Sequence, residues 1–249
     1  MAGLVAGCQF APSGAAPDGR DPDGDGGGGD DGPAEIDAGR DGAVTPPFCD
    51  RDDLDLRLCV TFDGGAVVDQ SGRDLALAAT AVGFGPGAVG DAVQLTASSV
   101  IHGAETPALD LTTALTLEAF VRVAATPSPR AGLIDNNAQY GMWVGANMRP
   151  YCTVGSTTVS GPTIFADRWT HVACVFDGQT YRIFVDGAQF GSVNRTAPAP
   201  TGGQDGFNLG QDCTSSGADD PLTGGLDEVR VWASARTPEQ LAAAAARRM

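Results

Sequence analysis

Short apolar runs separated by turn residues recur through most of this 249-residue chain. The runs are rich in β-branched side chains, and Gly, Pro, Asp and Asn stand between them without a long helical period. This pattern predicts many short strands, as in an all-β sandwich or barrel. The ten predicted strands cover residues 58–62, 92–95, 115–123, 132–135, 140–144, 151–154, 169–176, 181–185, 207–209 and 226–232.

The stretch RWTHVACVFDGQTYRIFVDG, residues 168–187, shows the pattern most clearly. A strand over 169–176 is followed by an Asp-Gly turn and by a returning strand over 181–185. Both faces of the first strand are largely apolar, which is typical of a central strand. The first strand contains no pair of acids, so its first role is architectural. His171 belongs to this strand, and we interpret it as a structural residue.

One helix is predicted, at the C-terminal end of the chain. Thr237 can act as its N-cap and Pro238 as its first helical residue, and Glu239 lies in the first turn before a run of alanines. The sequence therefore predicts an all-β protein with a short C-terminal helix.

The first 53 residues differ from the rest in composition. They hold twelve acidic residues against three arginines, many Gly, Pro and Ala, and very few large apolar side chains. Such a segment buries too little apolar surface to offset the entropy lost on ordering. We therefore predict a disordered acidic linker over residues 9–53 and a folded domain over residues 54–249.

The beginning of the chain, LVAGC at residues 4–8, resembles the lipobox of bacterial lipoproteins, in which the cysteine carries lipid. This resemblance implies a truncated signal over residues 1–8, lipid on Cys8, and a place in the bacterial cell envelope, at the outer membrane or cell surface. The linker would then be the spacer. A charged n-region and most of the apolar h-region are missing, so a chance match on a disordered cytosolic tail stays open.

Charge restricts the partners. The formal net charge is −16, and phosphate binding needs a basic face, so neither nucleic acid nor an anionic membrane surface is expected as the main partner. No stretch approaches the apolar length of a membrane span. Membrane attachment is therefore predicted only through lipid at Cys8.

The cysteines favour disulfides in an oxidising compartment, since the sequence has no CxxC and no Cys/His cluster with zinc-ligand spacing. Lipid on Cys8 would leave an odd number. We predict one pair at the start of the fold, a second pair in consecutive predicted strands, and a last cysteine that is free or paired to another. These are Cys49 with Cys59, Cys152 with Cys174, and Cys213.

Two motifs carry a resemblance to a known family. WTHVACVFDGQTYRIFVDG, followed by GGLDEVRVWASARTPEQL at residues 224–241, resembles the LamG-like jellyroll domains of the concanavalin A-like lectin/glucanase superfamily. VTFDGGAVVDQSGRDLALAA, GAVGDAVQL and LTLEAFVR resemble the opening strands, and the resemblance spans about residues 55–245. It implies a two-sheet antiparallel jellyroll sandwich, often in secreted or surface proteins, that binds glycans or proteins and sometimes calcium.

Asp227, within LDEVRVW, is a candidate metal ligand. Strict strand alternation places its carboxylate on the side of Val229 and Val231. A carboxylate in such surroundings must accept backbone amide bonds or bind a cation, because an unpaired buried charge is costly. The resemblance implies a structural calcium ion held by an Asp in this strand together with groups near the first strand, where Asp63 lies. Both alternatives stay open.

Catalysis is not expected. Jellyroll glucanases use two carboxylates that flank the glycosidic bond, and their usual signature places glutamates close together on one strand. The chain has five glutamates, and none forms such a set. No G-x-S-x-G or H-E-x-x-H motif is present.

A binding function remains. Tyr140, Trp143 and Tyr151 are the candidates for stacking on a sugar, with a core position as the alternative for each. We predict a cell-surface module that binds carbohydrate or a glycoconjugate; the alternative is a structural or adhesive envelope protein that binds another protein. The loop over residues 202–225 could hold a ligand or an ion through Asp205, Asn208, Asp212, Asp219 and Asp220.

Overall fold

The computed structural model describes residues 48–136, 139–195, 206–214 and 217–248. Cys8 and most of the predicted linker lie outside these ranges. The strands are β1 Leu56–Val60, β2 Leu77–Thr80, β3 Gly83–Pro86, β4 Asp91–Leu95, β5 Val100–Gly103, β6 Leu115–Val123, β7 Arg130–Asn136, β8 Tyr140–Gly145, β9 Pro150–Val154, β10 Thr157–Ser160, β11 Thr170–Phe176, β12 Thr180–Val185, β13 Ala188–Asn194, β14 Phe207–Leu209, β15 Asp212–Thr214, β16 Gly217–Asp219 and β17 Gly224–Trp232; the helix α1 is Pro238–Ala245.

The strands form two large antiparallel sheets. The eight-stranded sheet has the order β13-β12-β11-β6-β17-β4-β3, with β1 also paired to β17. The seven-stranded sheet has the order β10-β9-β8-β7-β14-β5-β2, and β15 and β16 form a separate hairpin. The main apolar core contains residues from both sheets. The predicted all-β jellyroll sandwich is confirmed.

The central position predicted for residues 169–176 is also confirmed. All seven residues of β11 are buried, and the strand lies between β12 and β6. Val172, Cys174 and Phe176 belong to the main core. Ala173 and Val175 belong to a second cluster, with Phe184 and Leu241 of α1. Both faces of β11 are apolar because one covers the core and the other packs under the helix.

Local signals define the C-terminal helix as predicted. The Thr237 side chain accepts the Gln240 backbone N–H, and the Gln240 side chain accepts that of Thr237, which makes a capping box with Pro238 in the first turn. Beyond the helix, Arg247 pairs with Glu228 of β17. Of the described segments, no helix has the length and apolar character that crossing a membrane requires.

Both predicted disulfides are confirmed. Cys49 is bonded to Cys59 of β1. Cys152 of β9 is bonded to Cys174 of β11, with their Cα atoms 5.9 Å apart, so this bond joins the two large sheets. Cys213 lies in β15, and its side chain is outside the described part of the structure.

The prediction that side chains alternate strictly along β17 is wrong. The pairing of β17 with β6 shifts between Asp227 and Arg230, and Glu228 has φ +51°. A bulge of this kind adds one residue and reverses the alternation that follows. Leu226, Val229 and Val231 therefore all enter the main core, and Asp227 does not share their side.

Candidate functional site

The outer face of the seven-stranded sheet carries two of the three predicted aromatic residues. Along β8, Tyr140, Met142 and Val144 belong to the core. The alternate residues therefore point outward, and among them is Trp143, which lies opposite Tyr151 of β9.

Tyr140 has a structural position. Its side chain is 2 % exposed, and its hydroxyl donates a hydrogen bond to the carbonyl oxygen of Leu109 at 2.9 Å. Burial raises the pKa of this phenol above its usual value. The ring of Tyr140 is packed into the core, which is the alternative that its strand position left open.

Trp143 and Tyr151 form a stacked pair. Their ring centroids are 5.6 Å apart, with an angle of 20° between the planes. The Trp143 ring covers Gly141, where a Cβ would come within 2.0 Å of Cη2 of the indole. The Arg130 guanidinium lies 5.3 Å from the indole centroid. Trp143 is only 6 % exposed, whereas Tyr151 is half-buried, so Tyr151 is the more accessible ring and Trp143 supports it.

Arg130, which the sequence did not indicate, is fixed beside this pair by two carboxylates. Its Nη2 donates to Asp212 at 2.6 Å, and its Nε pairs with Asp220. Burial by itself would lower the pKa of Arg130, but the hydrogen bonds to Asp220 and Tyr151 outweigh it and raise that pKa. The predicted acidic loop thus supplies two residues of the site, while its Asp205 lies outside the described residues.

Two pockets lie on either side of the aromatic pair. The register places Thr153, Gly141 and Asp135 in one row, beyond the row of Trp143 and Tyr151. The first pocket, of about 210 Å³, lies at this row; the second, of about 340 Å³, lies at the opposite end of β8, around Gly145. The first is lined by Arg130, Asp135, Gln139, Tyr140, Trp143, Thr153, Gly155 and Asp212. The second is lined by Gly145, Ala146, Asn147, Arg149, Tyr151 and Ser160.

The row of polar side chains continues across the sheet. Asn208 of β14 lies between Asp135 of β7 and His102 of β5. Its Oδ1 is 3.0 Å from Nδ1 of His102. Its Nδ2 is buried without a hydrogen-bond partner among the described atoms. The outer face beneath the first pocket is therefore polar although it is buried.

The two predicted calcium ligands hold one turn. Asp227 accepts the backbone N–H groups of Val89 at 3.0 Å and Glu228 at 2.8 Å. Asp63 accepts the N–H of Asp91 at 2.9 Å. Val89 and Asp91 lie on or next to the turn between β3 and β4, so both carboxylates stabilise it. Of the two alternatives for Asp227, backbone amide bonds or a bound cation, the amide bonds are the ones present.

These carboxylates do not assemble a metal-ligand set of their own. Among the residues described, no group of three or more His, Cys, Asp or Glu side chains could hold a metal ion. Calcium takes six to eight oxygen ligands, whereas both oxygens of Asp227 and Oδ1 of Asp63 accept backbone N–H groups. The calcium site stays a prediction.

Asp227 is expected to make stability fall between about pH 4 and pH 7. Burial raises its pKa from 3.8 to about 7, although the Val89 N–H acts in the opposite direction. A carboxyl group with a raised folded-state pKa contributes stability below its unfolded pKa, and this is lost as pH rises through the folded pKa. Urea unfolding of Asp227→Asn from pH 4 to pH 8 should show a flatter pH profile than the wild type. An identical profile would contradict this assignment.

His171 belongs to a buried network on the outer side of the eight-stranded sheet. It is 2 % exposed, and its Nε2 lies 3.2 Å from Oε2 of Glu118. Glu118 also accepts Nε1–H of Trp232 at 3.0 Å and pairs with Arg230 at 2.8 Å. Burial alone would raise the pKa of Glu118, but Arg230 and then His171 lower it to about 2. This arrangement gives His171 a structural position.

The chain belongs to the concanavalin A-like lectin/glucanases superfamily, because a laminin-G-type family model matches residues 90–242. No curated protein matches this chain.

Solved structures share the fold. One is domain 4 of AbnA, a GH43 extracellular arabinanase from Geobacillus stearothermophilus, in complex with arabinotriose: TM-score 0.61, 20 % identity, 77 % of this chain and 98 % of that one. Another is the binding domain of botulinum neurotoxin DC in complex with rat synaptotagmin II, with a TM-score of 0.62 and 10 % identity. This match covers 77 % of this chain and 51 % of that one. The same toxin domain in complex with SialylT has a TM-score of 0.60 and 10 % identity, and the match covers 78 % of this chain and 51 % of that one. The chain thus spans about half of the toxin domains.

Proposed function

We propose that this protein is a non-catalytic surface module that binds carbohydrate through the outer face of the seven-stranded sheet. The observation that carries this proposal is the position of Tyr151, half-buried and stacked on Trp143 between two pockets. A sugar presents a C–H face that packs on an aromatic ring, and hydroxyl groups that need hydrogen-bond partners. The ring and the pockets offer both.

The lining residues suit such a ligand. The first pocket offers the carboxylates of Asp135 and Asp212, the amide of Gln139 and the hydroxyl of Thr153. The second offers Asn147, Arg149 and Ser160. Ligand sites characteristically combine apolar or aromatic surface with a few polar groups that fix orientation. The arabinanase domain bound to arabinotriose and the toxin domain bound to SialylT give further support.

Tyr151→Ala is expected to weaken glycan binding at least tenfold, because it removes the accessible ring. Binding of the full-length chain to an oligosaccharide array, followed by calorimetry on the best ligand, measures this effect. Tyr151→Phe keeps the ring and should bind within a few fold of the wild type. Phe165→Ala is the matched control, since this exposed ring lies outside both pockets. Equal binding by the Tyr151→Ala and Phe165→Ala variants would contradict the proposed site.

The same contacts argue against hydrolysis. A glycosidase needs one carboxyl group as acid and a second as base or nucleophile. Asp212 and Asp220 both pair with Arg130, so both carboxylates are tied to one cation. We therefore propose binding without bond cleavage, and chromatography of an oligosaccharide incubated with the protein should recover it intact.

A protein partner is the second candidate. Phe165 and Phe190 are 67 % and 56 % exposed, and large exposed rings are frequent in protein interfaces. The synaptotagmin complex of the neurotoxin domain is a protein complex on the same fold. For such a partner, Phe165→Ala or Phe190→Ala should weaken binding and Tyr151→Ala should not.

We further propose, on the sequence alone, that lipid on Cys8 anchors the module to the bacterial cell envelope. Metabolic labelling with a fatty acid tests this, because Cys8→Ala would abolish the label.

We also propose, from the sequence, a structural calcium ion at Asp63 and Asp227. Calcium should then raise the melting temperature of the wild type and not that of Asp227→Asn.

A further inference from the structure

The two pockets beside Tyr151 differ in charge. At the first pocket, the single guanidinium of Arg130 faces two carboxylates, those of Asp212 and Asp220, so this cluster carries a formal charge of −1. Asp135 adds a third carboxyl group to the wall. The carboxylates outnumber the cation on this side of the aromatic pair.

The second pocket has the opposite sign. Arg149 is exposed there, and its Nε donates to the carbonyl oxygen of Gly161 at 2.7 Å. The described residues that line this pocket include no acidic side chain. Its formal charge is therefore +1.

Burial makes the difference effective. Asp135 and Asp212 are 3 % and 6 % exposed, and salt screens buried charges much less than exposed ones. An acidic sugar beside Trp143 would meet these carboxylates, while Arg130 already has its anionic partners. An uncharged sugar meets no such repulsion and can donate hydroxyl hydrogen bonds to carboxylate oxygens. Beside Arg149, a carboxylate would instead gain a cation as its neighbour.

We propose that the two pockets are adjacent subsites for one oligosaccharide and that they select it by charge. The subsite beside Trp143 accepts an uncharged sugar unit, and an acidic unit is accepted only beside Arg149. This inference rests on the proposed function and names its ligand class: an oligosaccharide that is neutral, or acidic at one end alone.

The test compares neutral and fully acidic trisaccharides of the same sugar, such as galactotriose with trigalacturonate and the corresponding glucose and mannose pairs. Calorimetry with the full-length chain at low salt should show at least tenfold tighter binding of the neutral member. Raising the salt concentration should reduce the difference only in part, because salt screens the buried carboxylates much less than exposed charges.

Variants assign the effect to the two subsites. Asp212→Asn should strengthen binding of the acidic trisaccharide several-fold relative to binding of the neutral one, because it removes one carboxylate from the first pocket. Arg149→Gln should weaken binding of a trisaccharide that is acidic at one end only. Asp74→Asn is the control, because Asp74 is exposed, lies between β1 and β2, and undergoes the same change of charge.

The outcomes separate the two proposals. Equal binding of neutral and acidic members, or an Asp212→Asn variant that behaves like Asp74→Asn, would overturn charge selection while carbohydrate binding stands. Binding of none of the trisaccharides, or binding that Tyr151→Ala leaves intact, would overturn both.

Discussion

Glu118→Ala is expected to lower the free energy of unfolding by about 3–5 kcal/mol, the usual cost of removing one partner from a buried ion pair. Glu118 is 2 % exposed and contacts Arg230, His171 and Trp232 at 2.8–3.2 Å. Its removal leaves the Arg230 guanidinium buried without this carboxylate and deprives the Trp232 N–H of its acceptor. Urea unfolding at pH 7 measures the loss.

Glu239→Ala is the matched control for this substitution. Glu239 lies in the first turn of α1 and is exposed, so its removal should cost far less. The wild type should also lose stability as pH falls from about 4.5 to about 2, since the lowered pKa of Glu118 means that its contribution is present only above that window. A loss for Glu118→Ala no larger than that for Glu239→Ala would show that the network does not stabilise the fold.

Removal of the Cys152–Cys174 disulfide is expected to destabilise the protein by about 3 kcal/mol, from the entropy that the unfolded chain regains. The bond spans 22 positions and joins β9 of one large sheet to β11 of the other. Both cysteines are buried in the core, so replacing both with alanine also removes packed atoms. Calorimetry of the double variant should show a clearly lower melting temperature.

The Cys49–Cys59 disulfide provides the comparison. It spans 10 positions and closes a smaller loop, so its double-alanine variant should lose less stability. A larger loss for Cys49 and Cys59 than for Cys152 and Cys174 would contradict the expectation that the disulfide closing the longer loop stabilises the fold more.

Several short strands escaped prediction for a common reason. β2, β3 and β13 lie at or beside the edges of their sheets, and most of their residues are exposed or only half-buried. An edge strand forms because a neighbour offers backbone hydrogen bonds, and it needs few large apolar side chains. A sequence pattern based on apolar runs therefore finds the central strands and passes over these.

The candidate site, like the strands, was predictable from the sequence only in part. Alternation along β8 puts Tyr140 and Trp143 on opposite faces, but only the packing of the second sheet decides which face is the core. Arg130 gave no sequence signal because its partners Asp212 and Asp220 lie 82 and 90 positions away. Their meeting depends on how the hairpin of β15 and β16 lies against β7.

The sequence by itself determined the central strands, the capped helix, both disulfides and the superfamily, because each depends on residues close in the chain or on a motif that spans it. The tertiary structure alone decided the bulge at Glu228, the support of Tyr151 by Trp143 and Arg130, and the opposite charges of the two pockets. These features arise where strands distant in sequence become neighbours, and contacts of that kind follow from the pairing of the sheets, which no local pattern encodes.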